Sequence, residues 1–340
     1  MTVLIFSRDP GAANQMLALQ ELIRDVKNGR SPSVDPHLRA FILALPLGEN
    51  GEGLRTFTKD YAASVWRTEG LQTEDWNTVT AHGNTPSDAI STICDFLLDA
   101  GVNYVITGVG DRDDATIHQI WRAARRAGIS SAAFLDDDWV ENRFTDADGA
   151  TVYPDRIFAV SEAGRRKLEG AGVPADRVTV VGNLHLARLK RRARMVGSDQ
   201  IAGLRRQWGA SDGDTVVLFA SQPGDEMKKL RRNIQRSELL YLRRLIQRIE
   251  DGREVGAHAI DPTSCLLVIR PHPRESDAKY ASLLDRCRLR HVESRAGESI
   301  VAILAADVIA GMTSIFLAEA EVLDKPVIRL VDPETLHANR

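Results

Sequence analysis

The chain has 340 residues and a formal net charge of −3, and its 43% hydrophobic and 27% charged residues exclude a fibrous repeat and bulk disorder. The length predicts two domains, and no run of about 18 apolar residues indicates a membrane span. Residues 1–180 carry 18 Lys and Arg against 26 Asp and Glu, a balance of −8, whereas residues 181–340 carry 26 against 21, a balance of +5. This asymmetry favours two domains with different ligands, with solvated arginine-rich helices as the alternative.

Apolar strands and amphipathic helices alternate through the first half of the chain. We predict strands over residues 2–7, 38–45, 104–107, 130–135, 156–161 and 178–181, with a short strand near 64–66. Helices are predicted after the first strand, from Pro86 onwards, and over residues 115–127 and 162–171. This alternation is typical of a doubly wound parallel sheet with helices on both faces.

A second alternation follows residues 185–212, which we interpret as a linker and lead-in helix between domain 1–184 and domain 213–340. Strands are predicted over residues 215–220, 265–270, 288–292, 307–310 and 326–331, and helices over 237–249, 298–306 and 314–323. The predicted fold class is therefore α/β, with two Rossmann-like doubly wound parallel-sheet domains. Ligands of such sheets bind outside the carboxyl ends of the strands, so the loops that follow the strands are the candidate sites.

The loop at residues 7–14 leads from the first strand into a helix. Gly11 and the small residues after it would let a ligand approach the helix N-terminus, where free amides favour an anion. We therefore predict a binding role for Asp9, Gly11 and Asn14. The alternative is a tight turn in which Asp9 only caps the helix.

Two further loops of the first half carry carboxylates. Three consecutive aspartates begin at Asp136, and their mutual repulsion should raise at least one pKa, as a general base requires. We predict Asp136 or Asp137 as that base, with Trp139 beside it indicating partial burial, and solvent-exposed turn aspartates as the alternative. Asp111, near the end of the strand at 104–107, is a further catalytic candidate.

The second half presents a histidine between two prolines. In the sequence RPHPR at residues 270–274, the prolines hold His272 in an extended geometry and arginines flank it. A histidine can donate a proton or a hydrogen bond, and Arg270 can contact a phosphate through two bonds. Ser221 and Gln222 end the first strand of this half and are assigned to the same phosphate site.

The last candidate loop precedes the helix predicted at 314–323. Gly311 permits a turn, and Thr313 and Ser314 bring hydroxyls to a helix N-terminus, which favours an anion, although either could be a plain cap. Glu319, farther along this helix, is placed either on a ribose hydroxyl or in solvent.

Together these motifs resemble the GT-B fold superfamily, which holds nucleotide-sugar glycosyltransferases and UDP-N-acetylglucosamine 2-epimerases. The matching stretches are IFAVSE at 157–162 with VVGNL at 180–184, GMTS at 311–314 with EA at 319–320 and KPV at 325–327, and RPHP at 270–273. The RPHP stretch is similar to the His-Pro motif of bacterial sialyltransferases and CDP-glycerol-type polymerases. The resemblance implies two domains facing an interdomain cleft, with His272, Thr313 and Ser314 contacting the phosphates of a nucleotide donor.

The sequence departs from these families at two places. Ser221, Gln222 and Pro223 stand where the epimerases have a histidine after the first strand of the second domain, so we rank a transferase above an epimerase. The aspartates at 136–138 lack the glycine of the acidic motif that holds the base in sialyltransferases. Arg143 keeps an "ENR" stretch of the epimerases, and with Trp139 it is assigned to the acceptor.

The sequence therefore predicts a metal-independent GT-B transferase of glycan or glycoconjugate biosynthesis. No cofactor is expected, and its substrates would be a nucleotide-sugar donor and a small-molecule or glycan acceptor. The alternatives are a nucleotide-sugar epimerase or hydrolase using Asp111 and Glu141, and a non-catalytic GT-B binding module. A nucleic-acid partner is not expected, because the arginine-rich helices lack interleaved aromatics in a chain that is 6% aromatic. Three widely spaced cysteines without a CxxC motif indicate a cytoplasmic protein, leaving peripheral membrane contact and the oligomeric state open.

Overall fold

The computed structural model describes residues 1–30, 34–59, 62–80, 86–110, 115–140, 143–146, 149–226 and 237–331. The chain divides into two compact units, Met1–Arg188 and Leu189–Arg340. Each unit is a parallel sheet with helices packed on both faces. The predicted fold class, two Rossmann-like α/β domains, is confirmed.

The sheet of the first unit has seven parallel strands among the described residues. They are β1 (Thr2–Ser7), β2 (Leu54–Thr58), β3 (Glu74–Asp75), β4 (Val102–Gly108), β5 (Ser130–Phe134), β6 (Arg156–Ala159) and β7 (Val178–Val180). Their order in space is β3-β2-β1-β4-β5-β6-β7, so the direction of winding reverses between β1 and β4. Crevices for ligands form at such a switch point, outside the carboxyl ends of the strands.

Helices cover both faces of this sheet. They are α1 (Pro10–Lys27), α2 (Pro36–Ala44), α3 (Ala62–Thr68), α4 (Asn77–Thr80), α5 (Pro86–Asp99), α6 (Thr116–Arg126), α7 (Glu162–Gly170) and α8 (Leu184–Ala193), the last of which spans the boundary between the units. Alternate residues of β1 enter two separate cores, Val3 and Ile5 on one face and Leu4 and Phe6 on the other. Both faces are therefore buried, as the continuous apolar run of this strand predicts.

The sheet of the second unit repeats this arrangement, with five parallel strands in the part of the unit that the structure describes. These are β8 (Thr215–Ala220), β9 (Cys265–Arg270), β10 (Arg290–Glu293), β11 (Val308–Gly311) and β12 (Val327–Arg329), in the spatial order β10-β9-β8-β11-β12. The helices are α9 (Ser198–Trp208), α10 (Glu238–Glu250), α11 (Ala281–Leu284), α12 (Ser299–Ala305) and α13 (Ile315–Val322). The winding reverses between β8 and β11, which defines a second switch point.

Two of the predicted strands are wrong. Residues 38–45 lie largely in helix α2, because the Asp35 side chain accepts hydrogen bonds from the His37 and Leu38 amides and Pro36 opens the first turn. Residues 64–66 lie in helix α3, and the strand beside β1 is instead β2. No helix in the described part of the chain is both long and apolar enough to cross a membrane.

Candidate functional site

The first candidate site lies at the carboxyl edge of the first sheet, in the loops after β1 and β5. Asp9 caps α1 by accepting a 2.9 Å hydrogen bond from the Ala12 amide. A Cβ atom on Gly11 would lie 2.2 Å from Oδ2 of Asp136, so the loop after β5 rests against the first turn of α1. Burial, reinforced by the negative charge of Asp136, raises the pKa of Asp9 to about 6.

Arg143 joins the carboxylates of this loop. Its Nη1 donates to Oδ1 of Asp136 at 2.6 Å, and its Nη2 lies 3.4 Å from Oδ2 of Asp137. The guanidinium is largely buried, and its Cζ lies 5.5 Å from the centre of the Trp139 ring. Burial and the charge of Asp136 raise the pKa of Asp137, whose side chain is 50% exposed. Asp136 is therefore held by the closer contact to Arg143, while Asp137 is accessible and has a pKa above that of an ordinary aspartate.

The third aspartate of this loop is structural. Asp138 accepts hydrogen bonds from the Ser161 hydroxyl at 2.7 and 2.8 Å and packs against Gly164 at the start of α7. The backbone of Asp136 is fixed as well, because the Asn183 side-chain amide donates to its carbonyl at 2.8 Å. Asn183 also caps α8 by accepting from the Leu186 amide at 2.9 Å.

The structure brings most of the candidates of the first unit together. The residues that meet at this edge are Asp9, Gly11, Asp136, Asp137, Trp139 and Arg143. Asn14 lies half-buried farther along α1. Asp111 and Glu141 fall outside the described residues. We name the six residues that meet here the acidic cluster.

The second candidate site lies at the switch point of the second sheet. The Gln222 amide follows β8 and donates to the Thr313 hydroxyl at 3.0 Å, while its oxygen accepts from the Thr313 backbone amide at 2.7 Å. Ser314 caps α13 by accepting from the Phe316 amide at 3.2 Å. Gly311 is required for packing, because a Cβ there would lie 3.0 Å from the Ala220 carbonyl oxygen.

His272, after β9, is held as a neutral ring. Burial and the charges of Arg274 and Arg295 lower the pKa of His272 to about 4. Its Nδ1 accepts a 3.2 Å hydrogen bond from the Arg274 amide, which assigns the proton of the neutral ring to Nε2. The arrangement favours His272 as a hydrogen-bond donor rather than as the proton donor that the sequence also allowed.

Arg270 is engaged within its own unit. Its Nη1 donates to the Ala296 carbonyl at 2.8 Å and its Nη2 to the Gly297 carbonyl at 2.9 Å. Burial lowers the pKa of this guanidinium, and the charge of Glu319 opposes that effect. Glu319 is 6% exposed, so of the two placements considered from the sequence, the solvent-facing one is wrong.

Sequence reasoning missed the residue that holds the His272 loop. Glu275 accepts from the Ser221 hydroxyl at 2.8 Å and the Tyr280 hydroxyl at 2.9 Å through Oε1, and from the His272 amide at 2.6 Å through Oε2. Ser221 is thus buried in a structural network instead of facing a ligand. The signal was present, because a carboxylate three residues after His272 has the spacing to close a turn.

A carboxylate cluster in this unit has the geometry of a metal site. Oxygens of Glu226, Glu238 and Glu275 lie within 4.8 Å of one another. The Lys279 ammonium, however, bonds all three carboxylates, at 2.7 Å to Glu226 and 2.9 Å to Glu275. The side chain of a buried lysine therefore supplies the positive charge that a metal ion would provide.

Two Rossmann-type units, each with a polar cluster at its switch point, define a fold of the GT-B type. The sequence matches no protein-family model and no curated protein.

Solved structures share this fold. One is the UDP-GlcNAc 2-epimerase of Neisseria meningitidis bound to UDP-GlcNAc, with a TM-score of 0.63 and 16% identity over 99% of this chain and 86% of that one. Another is the UDP-GlcNAc 2-epimerase of Methanocaldococcus jannaschii, with a TM-score of 0.62 and 13% identity over 96% and 83%. A third is Anabaena HepE in complex with UDP and glucose, with a TM-score of 0.55 and 13% identity over 96% and 80%. These likenesses confirm the GT-B resemblance at the level of the fold.

Proposed function

We propose that this chain binds a nucleotide-activated sugar through its second unit and transfers the sugar to an acceptor hydroxyl. The observation that carries the proposal is the cluster at the second switch point, where Gln222 fixes Thr313 at the start of α13 and His272 is held as a neutral donor. Solved structures of this fold support it, since one is bound to UDP-GlcNAc and another to UDP and glucose.

The second unit would hold the diphosphate of the donor. A neutral Nε2–H of His272 donates a hydrogen bond to a phosphate oxygen without needing protonation at pH 7. The Thr313 hydroxyl donates to the Gln222 oxygen at 3.2 Å and would turn to the phosphate when the donor binds. The amides of Ser314 and Ile315 at the N-terminus of α13 would add donors, and the helix dipole favours the negative charge. The same donors stabilise the nucleoside diphosphate as it leaves, because its charge grows when the sugar–oxygen bond breaks.

The first unit would supply the general base. Asp136 is tied to Arg143, whereas Asp137 is half-exposed with a raised pKa, so Asp137 is the better placed of the two predicted bases. It would take the proton of the acceptor hydroxyl as the new bond to the anomeric carbon forms. Arg143 would hold the neighbouring carboxylate of Asp136 in place.

An epimerase or hydrolase acting on the nucleotide sugar is the second candidate, and the epimerases among the solved structures favour it. The position of Ser221 argues for a transferase, because a buried hydroxyl bonded to Glu275 replaces the histidine that the epimerases have there. Incubation of UDP-GlcNAc without an acceptor separates the two, since only an epimerase or hydrolase yields an epimer or free UDP. NMR of the anomeric protons detects both products.

Binding is tested by calorimetry with CMP, CDP, UDP, GDP and their sugars. His272→Ala should weaken binding of the preferred nucleotide, whereas His291→Ala, on the exposed edge strand β10, should leave it unchanged. Asp137→Asn should retain donor affinity and lower turnover about a hundredfold or more, the low end of the contribution of a general base. Unchanged affinity in His272→Ala would refute the donor site, and absence of any product with any acceptor would leave a non-catalytic binding module.

A further inference from the structure

A pocket of about 520 Å³ opens in the first unit, and none of the residues that form the acidic cluster lines it. It lies at the carboxyl ends of β2 and β3, beside α3. Its lining surface is divided about equally between polar and apolar atoms, and its polar side chains are those of Thr58, Arg67, Gln72, Thr73, Asp75 and Asn77. The volume is in the range of pockets that bind small molecules.

The polar groups of this pocket include both hydrogen-bond donors and hydrogen-bond acceptors. The hydroxyls of Thr58 and Thr73 lie 2.9 Å apart, so they form one bonded pair at the end of β2. Asp75 uses Oδ1 to accept from the Asn77 amide at 3.0 Å, which fixes the carboxylate and leaves Oδ2 for a ligand. The exposed side chain of Gln72 has no hydrogen bond to any other residue that the structure describes.

The charges of the pocket cancel. Arg67 contributes one positive charge and Asp75 one negative charge, and the remaining lining groups are hydroxyls, amides and the methyl of Ala63. Two charges of opposite sign do not favour a phosphate, and a wall that carries these charges together with hydroxyls and amides does not favour a lipid chain. A carboxylate, an amide and a guanidinium are each planar groups with two adjacent hydrogen-bonding atoms, which matches the two neighbouring hydroxyls of a sugar ring.

The pocket borders the loop that carries Asp9. Thr58 pairs with Ser7 in the register of β1 and β2, and the Lys59 amide donates to the Ser7 carbonyl at 3.1 Å. The Ala62 amide, at the start of α3, donates to the Arg8 carbonyl at 3.1 Å. The pocket and the acidic cluster therefore lie at the same edge of the first sheet, and backbone hydrogen bonds join the loop of one to the loop of the other.

We infer that this pocket binds a sugar residue of an uncharged glycan, so that the acceptor of the proposed transfer reaction is a neutral saccharide. The role of this sugar as the acceptor rests on the proposed function, whereas the binding of a sugar in the pocket does not. It adds a binding surface around Asp75 and Gln72 to the acidic cluster, where the sequence placed the acceptor.

Saturation-transfer NMR on the full chain tests this inference, with neutral trisaccharides of glucose, galactose and N-acetylglucosamine as probes and with N-acetylneuraminic acid and inorganic phosphate as charged comparisons. At least one neutral trisaccharide should bind, and Asp75→Asn should weaken it at least tenfold while keeping the oxygen that accepts from Asn77. The matched control is Asp99→Asn, an exposed aspartate at the end of α5 that leads into the opposite edge of the sheet. Ala63→Phe, which fills the pocket, should have the same effect as Asp75→Asn.

Several outcomes would overturn the inference. These are the absence of binding by every neutral probe, tighter binding of the charged probes, or equal binding by wild type, Asp75→Asn and Gln72→Ala. Gln72→Ala serves if Ala63→Phe does not fold, because Gln72 is exposed. Nucleotide affinity, measured by calorimetry on the same variants, should not change. Absence of saccharide binding by the wild type with intact nucleotide binding refutes the pocket alone, and saccharide binding by the wild type without nucleotide binding refutes the donor site alone.

Discussion

The α-carbon of Gly11 packs directly against the carboxylate of Asp136, since a Cβ at position 11 would lie 2.2 Å from Oδ2 of that side chain. Real Cβ atoms do not approach an oxygen so closely. The first turn of α1 and the loop after β5 can therefore meet only because residue 11 lacks a side chain. Asp136 is also bonded to Arg143 and Asn183, so it cannot move away freely.

Gly11→Ala should consequently destabilise the first unit and displace Asp136. We expect a loss of about 1–3 kcal/mol in the free energy of unfolding, which is typical of overpacking, measured by urea denaturation. Gly203→Ala is the matched control in α9, where the nearest atom to a new Cβ is Arg206 Nη2 at 3.9 Å, and there the change should stabilise by about 0.5–1 kcal/mol. Equal effects at the two positions would contradict the packing argument.

Asp9 should make stability fall as the pH rises from about 4 to 6. Burial raises the folded-state pKa of Asp9 to about 6, above that of an unfolded aspartate, so the folded state binds more protons in this window. Asp9→Asn keeps the cap on α1 and removes the buried charge, so its stability relative to wild type should increase between pH 4 and 6 and then level off. Asp9→Ala loses the cap and should cost about 0.5–2 kcal/mol. A pH-independent difference between Asp9→Asn and wild type would show that Asp9 titrates normally.

His272 should make the stability rise with pH, the opposite of the effect of Asp9. Its folded-state pKa of about 4 is below that of an unfolded histidine, about 6.5, so the unfolded state binds more protons in between. Stability should therefore rise from pH 4 to 6.5, and His272→Gln should reduce that rise in urea unfolding. The contribution of His272 to nucleotide affinity should be constant between pH 6 and 8, because the ring stays neutral. An affinity that falls as the pH rises through 6.5 would instead indicate a protonated imidazole at the phosphate.

Glu275 is expected to position His272 without contacting a ligand. Glu275→Gln replaces one acceptor by an amide donor, so either the His272 amide or the Ser221–Tyr280 pair loses its partner, at a cost of about 1–3 kcal/mol. The Michaelis constant for the donor should rise while the turnover number stays near wild type, which a purely structural role would not produce. Glu254→Gln, an exposed change of the same type in this unit, is the control. An unchanged Michaelis constant would remove Glu275 from the binding machinery.

Much of the fold follows from the sequence because buried parallel strands are continuous apolar runs. Strands β8 and β9 have the predicted bounds, since polar residues or a proline flank them and their side chains enter cores on two faces. The run at 38–45 is equally apolar but folds as α2, because the cap at Asp35 and the proline after it favour a helix start. Periodicity alone cannot separate a short buried helix from a strand.

The sequence predicts which loops form the candidate site but not the hydrogen bonds and contacts between them. The sequence marks Asp136 and Gly11 as two independent candidates. Their contact depends on how α1 packs over β5, and no local sequence pattern encodes that packing. Ser221 was assigned to phosphate, but Glu275 and Tyr280 engage its hydroxyl from residues more than fifty positions away. Long-range hydrogen bonds of this kind are set by tertiary packing, so a linear reading assigns the side chain to solvent or to a ligand.

The strand order that the two sheets share determines where substitutions can alter ligand binding without loss of the fold. In each unit the polar side chains sit in loops outside a sheet whose two faces are already buried, so most of the folding free energy is independent of them. Substitutions confined to residues 272–274, which are not buried, can therefore alter ligand preference while the framework stays intact, and a combinatorial library of these three positions is an economical search for new specificities toward the proposed donor. The evolvability of the molecule is concentrated in its loops.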